Sequence, residues 1–576
     1  MRNKVDLSLP PDALFLNPWT DEGLAFLEQP TKFWRSAPSA LIEGFSASSY
    51  FQVNRQLNDL LRQTRKSRKF LEAIEYTAVP VLLENAVFRK DVITANGKIV
   101  MSGASGGRAI NKYIWEHRGE KDLPDDALDS FLRSAREASG DRPLPVVSAK
   151  LEPDIPFAIE CRNTFNFFHF ITESLAQLTV LDGLDFQGEI FFHFPNSEEK
   201  QRDFAMAFVD ALFPEYSGRV RFERSPKEYD RVLTAFEFSG AHYLLPGDVT
   251  DGMRRLLPAA ANGNDVLQAV SGRSTISMNS FNNSLISLRK RALNAIEGRD
   301  WSHLPKRFWV GRDDRQSRSR RIAGEDLLFE HLQLFGFEYV VFENLDPLEQ
   351  IALLANAEVM IAGHGAGFTN MLFAHPDAWV IEIGSLQTAR QRWGDFWPLA
   401  HAAQCRYITI FADHDTKNPV LEPNFAEEGI APIALSEQAT ALLLSFVVTV
   451  LGHAPELKSR SMLDRLAGIL VQTGAVEEAL GLLEAHEWLV RQDADLSILK
   501  ADCHKALGES KSELLALDQA YKVDRTRWRM LIRIIWCANA CERPQVIRWA
   551  LSRLEADFPD RYDAFVTNHT WVRYVA

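Results

Sequence analysis

Residues 358–370 read EVMIAGHGAGFTN, and this stretch decides the fold. Glu358 to Gly363 is an apolar run of strand length. It ends in Gly363-His364-Gly365-Ala366-Gly367, and a helix is expected to begin near Phe368. A strand, a glycine turn and a helix start make a place for an anion. Backbone N–H groups are unpaired there, and the helix dipole favours negative charge by roughly 0.3–1 kcal/mol, up to about 2 kcal/mol when partly buried. Glycines let the backbone approach a phosphate closely, and Thr369 and Asn370 would add side-chain donors. The pattern is neither GxGxxG nor GxxxxGK[ST], so an NAD site and an ATP-type loop are not expected. A tight turn in an α/β domain would read the same way, with His364 as a structural donor.

The neighbouring sequence gives the loop its context. Before it come RFWVG (307–311), a helix (324–335), EYVVF (338–342) and a helix (346–357). After it come AWVIEI (378–383) and RYITIF (406–411). Strands alternating with helices imply a parallel sheet covered on both faces. Glu382, at the end of the next strand, could accept hydrogen bonds from ribose hydroxyls. Upstream, Arg312, Arg315, Arg318, Arg320 and Arg321 follow a strand. Guanidinium forks suit diphosphates, although most of these five read as a solvated loop.

A first alternating block starts near Phe157, with strands FAIE, GEIFFHF and VRFER around two helical stretches. Asn166 to Leu181 reads as an amphipathic helix. On it Asn166, His169 and Glu173 are offset by 0, 3 and 7 and share one face at 100° per residue. The neighbours Phe165, Phe167, Phe168, Phe170, Ile171 and Leu175 are apolar, so the polar stripe should face a cleft. His169 is a candidate proton acceptor, with Glu173 to orient it or to serve itself. A core histidine satisfied by a glutamate would look the same. Two alternating blocks imply two Rossmann-like domains facing a cleft: residues 76–300 and 301–454.

Residues 1–75 read as a mainly helical extension. Between VPVLLENAVF and the following strands, Asn96-Gly97 is a hairpin turn signal. The last stretch, 455–576, reads as all helical. Gly474, Gly508 and Glu542 stand 34 residues apart in similar phrases, the period of tetratricopeptide repeats, and Pro559 falls where such a unit tends to end. An ordinary helical bundle is the alternative.

The net charge of −13 argues against a nucleic-acid partner, which needs a clustered basic surface. Five scattered cysteines (Cys161, Cys405, Cys503, Cys537 and Cys541) are no disulfide framework, so a reducing compartment is expected. The first residues lack the apolar region of a signal peptide. The longest apolar run, Ala439 to Leu451, is shorter than the roughly 20 residues of a membrane span and reads as a buried helix. A cytoplasmic protein, or one peripheral at the inner face of a membrane, is expected.

The stretch from Arg307 to Gly384 resembles the C-terminal half of glycosyltransferase family 61. The resemblance rests on Arg312, Arg321, Glu325, Ala357, His364-Gly365-Ala366-Gly367, Phe368-Thr369-Asn370, Phe373 and Glu382. The earlier Asn166-Phe167-Phe168-His169 with Glu173, and the hairpin at Asn96-Gly97, are also similar to that family. It covers roughly residues 75–450. The resemblance implies a GT-B architecture, with the donor mostly on the second domain and the acceptor on the first. It implies inverting transfer of a hexosyl or pentosyl group, usually without a bound metal or other cofactor. The donor would be a nucleotide sugar, a UDP-linked one being expected. The acceptor would be a hydroxyl of a glycan, such as a capsule or other surface polysaccharide, or of a protein. Residues 455–576 could engage a protein partner.

Three readings compete. Asp413-His414-Asp415 and Asp493-Ala494-Asp495 fit a DxD metal motif. Gly103-Ala104-Ser105-Gly106-Gly107 fits the nucleophile elbow of a serine hydrolase, although a hairpin arm precedes it. A repeat-bearing scaffold with a degenerate pocket is the non-enzymatic alternative.

Overall fold

The computed structural model describes residues 5–36, 42–67, 72–89, 92–117, parts of 127–147, 151–161, 166–195, 203–237, 280–311, 322–451, 460–472 and 474–574. Strands and helices alternate from Arg307 onward, as expected. The strands are Arg307–Val310, Glu338–Val340, Val359–Gly363, Trp379–Ser385 and Arg406–His414. In space the order is 338–340, 307–310, 359–363, 379–385, 406–414, all parallel. Val359, Met360 and Ile361 are fully buried, as a central parallel strand covered on both faces requires. The chain leaves Arg307–Val310 toward one edge and returns to its other side as Val359–Gly363. The order therefore reverses between these two strands. Open parallel sheets bind ligands at such a switch point, outside the carboxyl ends of the strands. The loop beginning at His364 lies there.

The first block forms a mixed sheet. Val220–Arg224, Ile190–Phe194, Phe157–Glu160 and Lys227–Phe236 run parallel, and Val79–Phe88 joins the last of these antiparallel. The Asn96-Gly97 turn forms as expected: both residues take positive φ, 46° and 84°, between Ile93–Ala95 and Lys98–Ile99. One apolar cluster continues from Phe157, Phe170 and Phe192 to Ile351, Leu372 and Trp397, so the two sheets share a core through their helices.

The helical reading of residues 1–75 is corrected. Leu24–Phe26 pairs with Val79–Phe88. Ile42–Ser46 adds a parallel strand beside Arg406–His414, and Lys32–Ser36 pairs with Glu72–Tyr76. Among the described residues there, Phe51–Ser67 is the one long helix. These strands are three to five residues long and partly polar, and their partners lie far along the chain. Local pattern alone carries little of such pairing.

Past residue 460 the described chain is helical. First helices start at Arg460, Ala494 and Trp528, and second helices at Val476, Ser510 and Pro544, each set recurring every 34 residues. Gly474, Gly508 and Glu542, the three positions marked by the sequence period, all take positive φ (86°, 76° and 55°) in the turn between the paired helices. Glu437–Leu451 packs between the second sheet and the first of these pairs: Leu443, Leu444 and Val447 share a cluster with Ile381, Leu466 and Leu482. Among the described residues no helix is long and apolar enough to cross a membrane.

Candidate active site

The polar stripe at 166–173 sits on a helical segment of three kinds of turn rather than one regular helix. Phe167–His169 is a single α-turn, Phe170–Ser174 a π-turn, and Leu175–Leu181 a 3-10 helix. Phe170, Ile171, Leu175 and Leu178 are fully buried, which fixes the segment against the first sheet. Asn166 caps its start, the side-chain oxygen accepting from the His169 N–H at 3.3 Å. Asn166 thus supports the backbone of His169, where a place on the cleft face was expected. His169 Nδ1 and Glu173 Oε1 are 2.6 Å apart. An imidazole that donates from Nδ1 to a carboxylate keeps its Nε2 lone pair for a proton. The His169 side chain is 39% exposed, so that nitrogen can be reached.

Glu173 has a second partner. Arg108, on the helix Gly103–Glu116, donates to its Oε2 at 3.4 Å. The other arm of the same guanidinium holds Glu160, the last residue of Phe157–Glu160.

The glycine loop is built from the second sheet. The His364 N–H donates to the Ile383 carbonyl at 2.9 Å. The next three N–H groups, of Gly365, Ala366 and Gly367, make no backbone hydrogen bond among the described residues. They form the start of the helix Ala366–Phe373, which is 3-10 and begins two residues earlier than expected. A Cβ at Gly363 would lie 2.8 Å from the Ile322 Cδ1, so any larger residue there has to push that side-chain tip aside. Thr369 and Asn370, expected as side-chain donors, are fully buried. Thr369 Oγ1 donates to the Ala366 carbonyl at 2.7 Å, and Asn370 Nδ2 to Gln350 Oε1 at 3.1 Å. A 3-10 helix turns its residues more tightly; Thr369 closes the loop on itself, and Asn370 ties it to the helix Pro347–Ala355.

Glu382 is also occupied internally. Its carboxylate bonds to His364 Nδ1 and the Tyr407 hydroxyl, and accepts from Thr409 Oγ1 at 3.1 Å. It is 2% exposed, so the expected direct acceptor for ribose is here the group that holds His364. Burial, with Glu382 beside it, drives the Tyr407 hydroxyl far up from its ordinary value, keeping it a donor. Arg312 and Arg321 lie outside the described residues.

The two halves meet at Phe396, a residue the sequence reading did not single out. Its ring lies 5.6 Å from Phe168, next to His169, and 5.5 Å from His364. Phe368 is 5.4 Å away on the same ring. Asp395, beside it, keeps 40% of its side chain exposed and faces Arg392 at 3.5 Å. Its surroundings desolvate the carboxyl and raise it above the usual range, while Arg392 and His364 pull it back. The signal available in sequence was the aromatic and acidic run WGDFW (393–397) just past the Glu382 strand.

The competing motifs are structural. Asp413 is buried and accepts from Ser48 and, through Oδ2, from the Ser49 N–H at 3.2 Å and its hydroxyl at 2.6 Å. Asp493 caps a helix, accepting from Asp495 and Leu496 N–H at 2.9 and 3.0 Å. Ser105 lies inside the helix Gly103–Glu116, and its buried hydroxyl is bonded to no histidine. Among the described residues no three His, Cys, Asp or Glu side chains gather as metal ligands.

Fold and site thus define an α/β protein with a glycine loop at a sheet switch point and a His–Glu pair on the segment packed against it. Residues 167–381 match the model of the Glycosyltransferase 61 family, a range that takes in His169, Glu173 and His364 to Asn370 and supports glycosyltransferase activity in general. The resemblance seen in the sequence holds over that range. No curated protein matches the chain. Among solved structures it is similar to that titled "Crystal structure of MamA", at 11% identity and a TM-score of 0.18, over 21% of this chain and 69% of that one.

Proposed function

We propose that this protein is an inverting glycosyltransferase of GT-B type that moves a sugar from a nucleotide-sugar donor to a hydroxyl acceptor. The observation that carries the reading is the meeting of two stretches of the family match, at Phe168 and His364, across Phe396 just beyond it. Phe396 packs against Phe168 on one side and His364 on the other. The donor diphosphate would rest on the N–H groups of Gly365, Ala366 and Gly367, with Arg312 or Arg321 as its cationic clamp. Fixed donors there would stabilise the leaving nucleotide diphosphate without a metal. His169, held by Glu173, would take the proton of the acceptor hydroxyl as it attacks the anomeric carbon. Such a base contributes roughly 10²–10⁴-fold. Glu382 would act through His364, holding the loop rather than touching the ribose.

On this reading residues 76–300 carry the acceptor side, 301–454 the donor side and 455–576 a tetratricopeptide-like array for a protein partner. The donor is a UDP-linked sugar and the acceptor a surface glycan or a protein. A thermal-shift screen of nucleotide sugars, with and without EDTA, tests it. A UDP-sugar should raise the melting temperature equally in both, through preferential binding to the folded chain. No stabilisation by any nucleotide sugar would favour the scaffold alternative. A shift abolished by EDTA would remove the metal-free mechanism.

A further inference from the structure

We propose that Arg108 is a positioning residue of the transfer reaction, acting on His169 through Glu173; this rests on the transferase reading above. Three elements converge on its guanidinium. Arg108 comes from the helix Gly103–Glu116, Glu160 from the end of the strand Phe157–Glu160, and Glu173 from the π-turn Phe170–Ser174. Arg108 Nη2 pairs with Glu160, and Nη1 reaches Glu173 Oε2 at 3.4 Å. The side chains of Arg108 and Glu160 are 13% and 8% exposed, so the pair is shielded from solvent.

The division of Glu173's two oxygens is informative. Oε1 faces His169 Nδ1 at 2.6 Å and Oε2 faces Arg108. A carboxylate gripped on one oxygen cannot rotate away from the imidazole on the other. The planar fork of arginine holds two carboxylates at once, which a single ammonium does less well. Glu173 lies in the π-turn Phe170–Ser174, a rare helical form that is frequent at functional sites.

One guanidinium faces both carboxylates. A cavity of about 20 Å³ adjoins the pair, lined by Ser102, Ser105, Glu160, Glu173 and Gln177. The buried Ser105 hydroxyl has no hydrogen-bond partner among the described residues, and the space suffices for one water among polar groups. Arg108 thus meets Glu173 on the oxygen that does not face His169.

The test is steady-state hydrolysis of UDP-sugars by the full chain, with water as acceptor. Arg108→Met should lower kcat at least about 30-fold while the donor KM stays within about twofold. Arg108→Lys, which keeps the charge but loses the fork, should fall between, about 3- to 10-fold down. A kcat for Arg108→Met within about threefold of wild type overturns the role, as does Arg108→Lys falling as far as Arg108→Met. Should Arg108→Met not fold, Arg108→Lys decides: reduced kcat at unchanged KM supports the role, and wild-type kcat overturns it. Wild-type hydrolysis that collapses in His169→Ala but not in the Arg108 variants removes Arg108 alone. A wild-type protein that turns over no UDP-sugar ends the transferase reading and this role with it.

Discussion

At the scale of residues, the His169–Glu173 contact follows from their spacing alone, because residues four apart on a helical turn are neighbours. Arg108 and Glu160 were not legible: Arg108 is 52 residues from Glu160 and 65 from Glu173 in sequence, and only tertiary packing joins them. Glu382 shows a different limit. The sequence places it at a strand end, but not which way its carboxylate turns, and Tyr407 and Thr409 on the neighbouring strand capture it. Tyr407→Phe removes one donor from that buried carboxylate. It should cost about 1–3 kcal/mol of stability, read as a lower denaturant midpoint. An unchanged midpoint would show that the hydroxyl is not needed there.

His193 gives the chain an acid sensitivity. Its ring is 1% exposed, with Nε2 2.7 Å from the Tyr229 hydroxyl. Desolvation lowers its pKa to about 4. The unfolded chain binds this proton below its ordinary value near 6.5, whereas the folded chain resists until about 4. The stability from the neutral ring is therefore fully present above about 6.5 and is lost as pH falls toward 4. The loss amounts to about 3 kcal/mol at most. His193→Gln should flatten the decline in denaturant midpoint between these pH values, and an equally steep decline would assign it to other groups.

At the scale of elements, the strands Val359–Gly363, Trp379–Ser385 and Arg406–His414 were legible because they are buried and read as continuous apolar runs, whereas Glu338–Val340 is an exposed edge strand. The short N-terminal strands were not, for the opposite reason. Ile42–Ser46 has an exposed Phe45 and a polar Glu43, and becomes a strand only by pairing with Arg406–His414. The helix at 166–181 was placed correctly, but its π-turn was not visible, since no proline or glycine marks it. Gly363→Val tests the loop geometry. A branched side chain would clash with Ile322, so donor-induced thermal stabilisation should largely vanish while the sheet still folds. Retained stabilisation would mean that the loop tolerates displacement and does not hold the donor.

At the scale of the molecule, the repeat period was readable in sequence because one turn residue recurs every 34 positions with positive φ. Where the array attaches was not readable. Leu463, Leu466 and Leu470 share a cluster with Ile381, Ile383 and Ile408 of the second sheet. Removal of residues 455–576 should therefore expose that face and lower stability, seen as a reduced melting temperature and aggregation on heating. A truncated chain with the full-length melting temperature would show the two parts to be independent. If one half of the molecule holds the donor while His169 on the other moves the proton, binding and turnover should separate in His169→Ala. Calorimetric UDP-sugar binding should stay at the wild-type affinity with turnover reduced about 10²-fold or more; unchanged turnover, or loss of binding and turnover together, would contradict this division of roles.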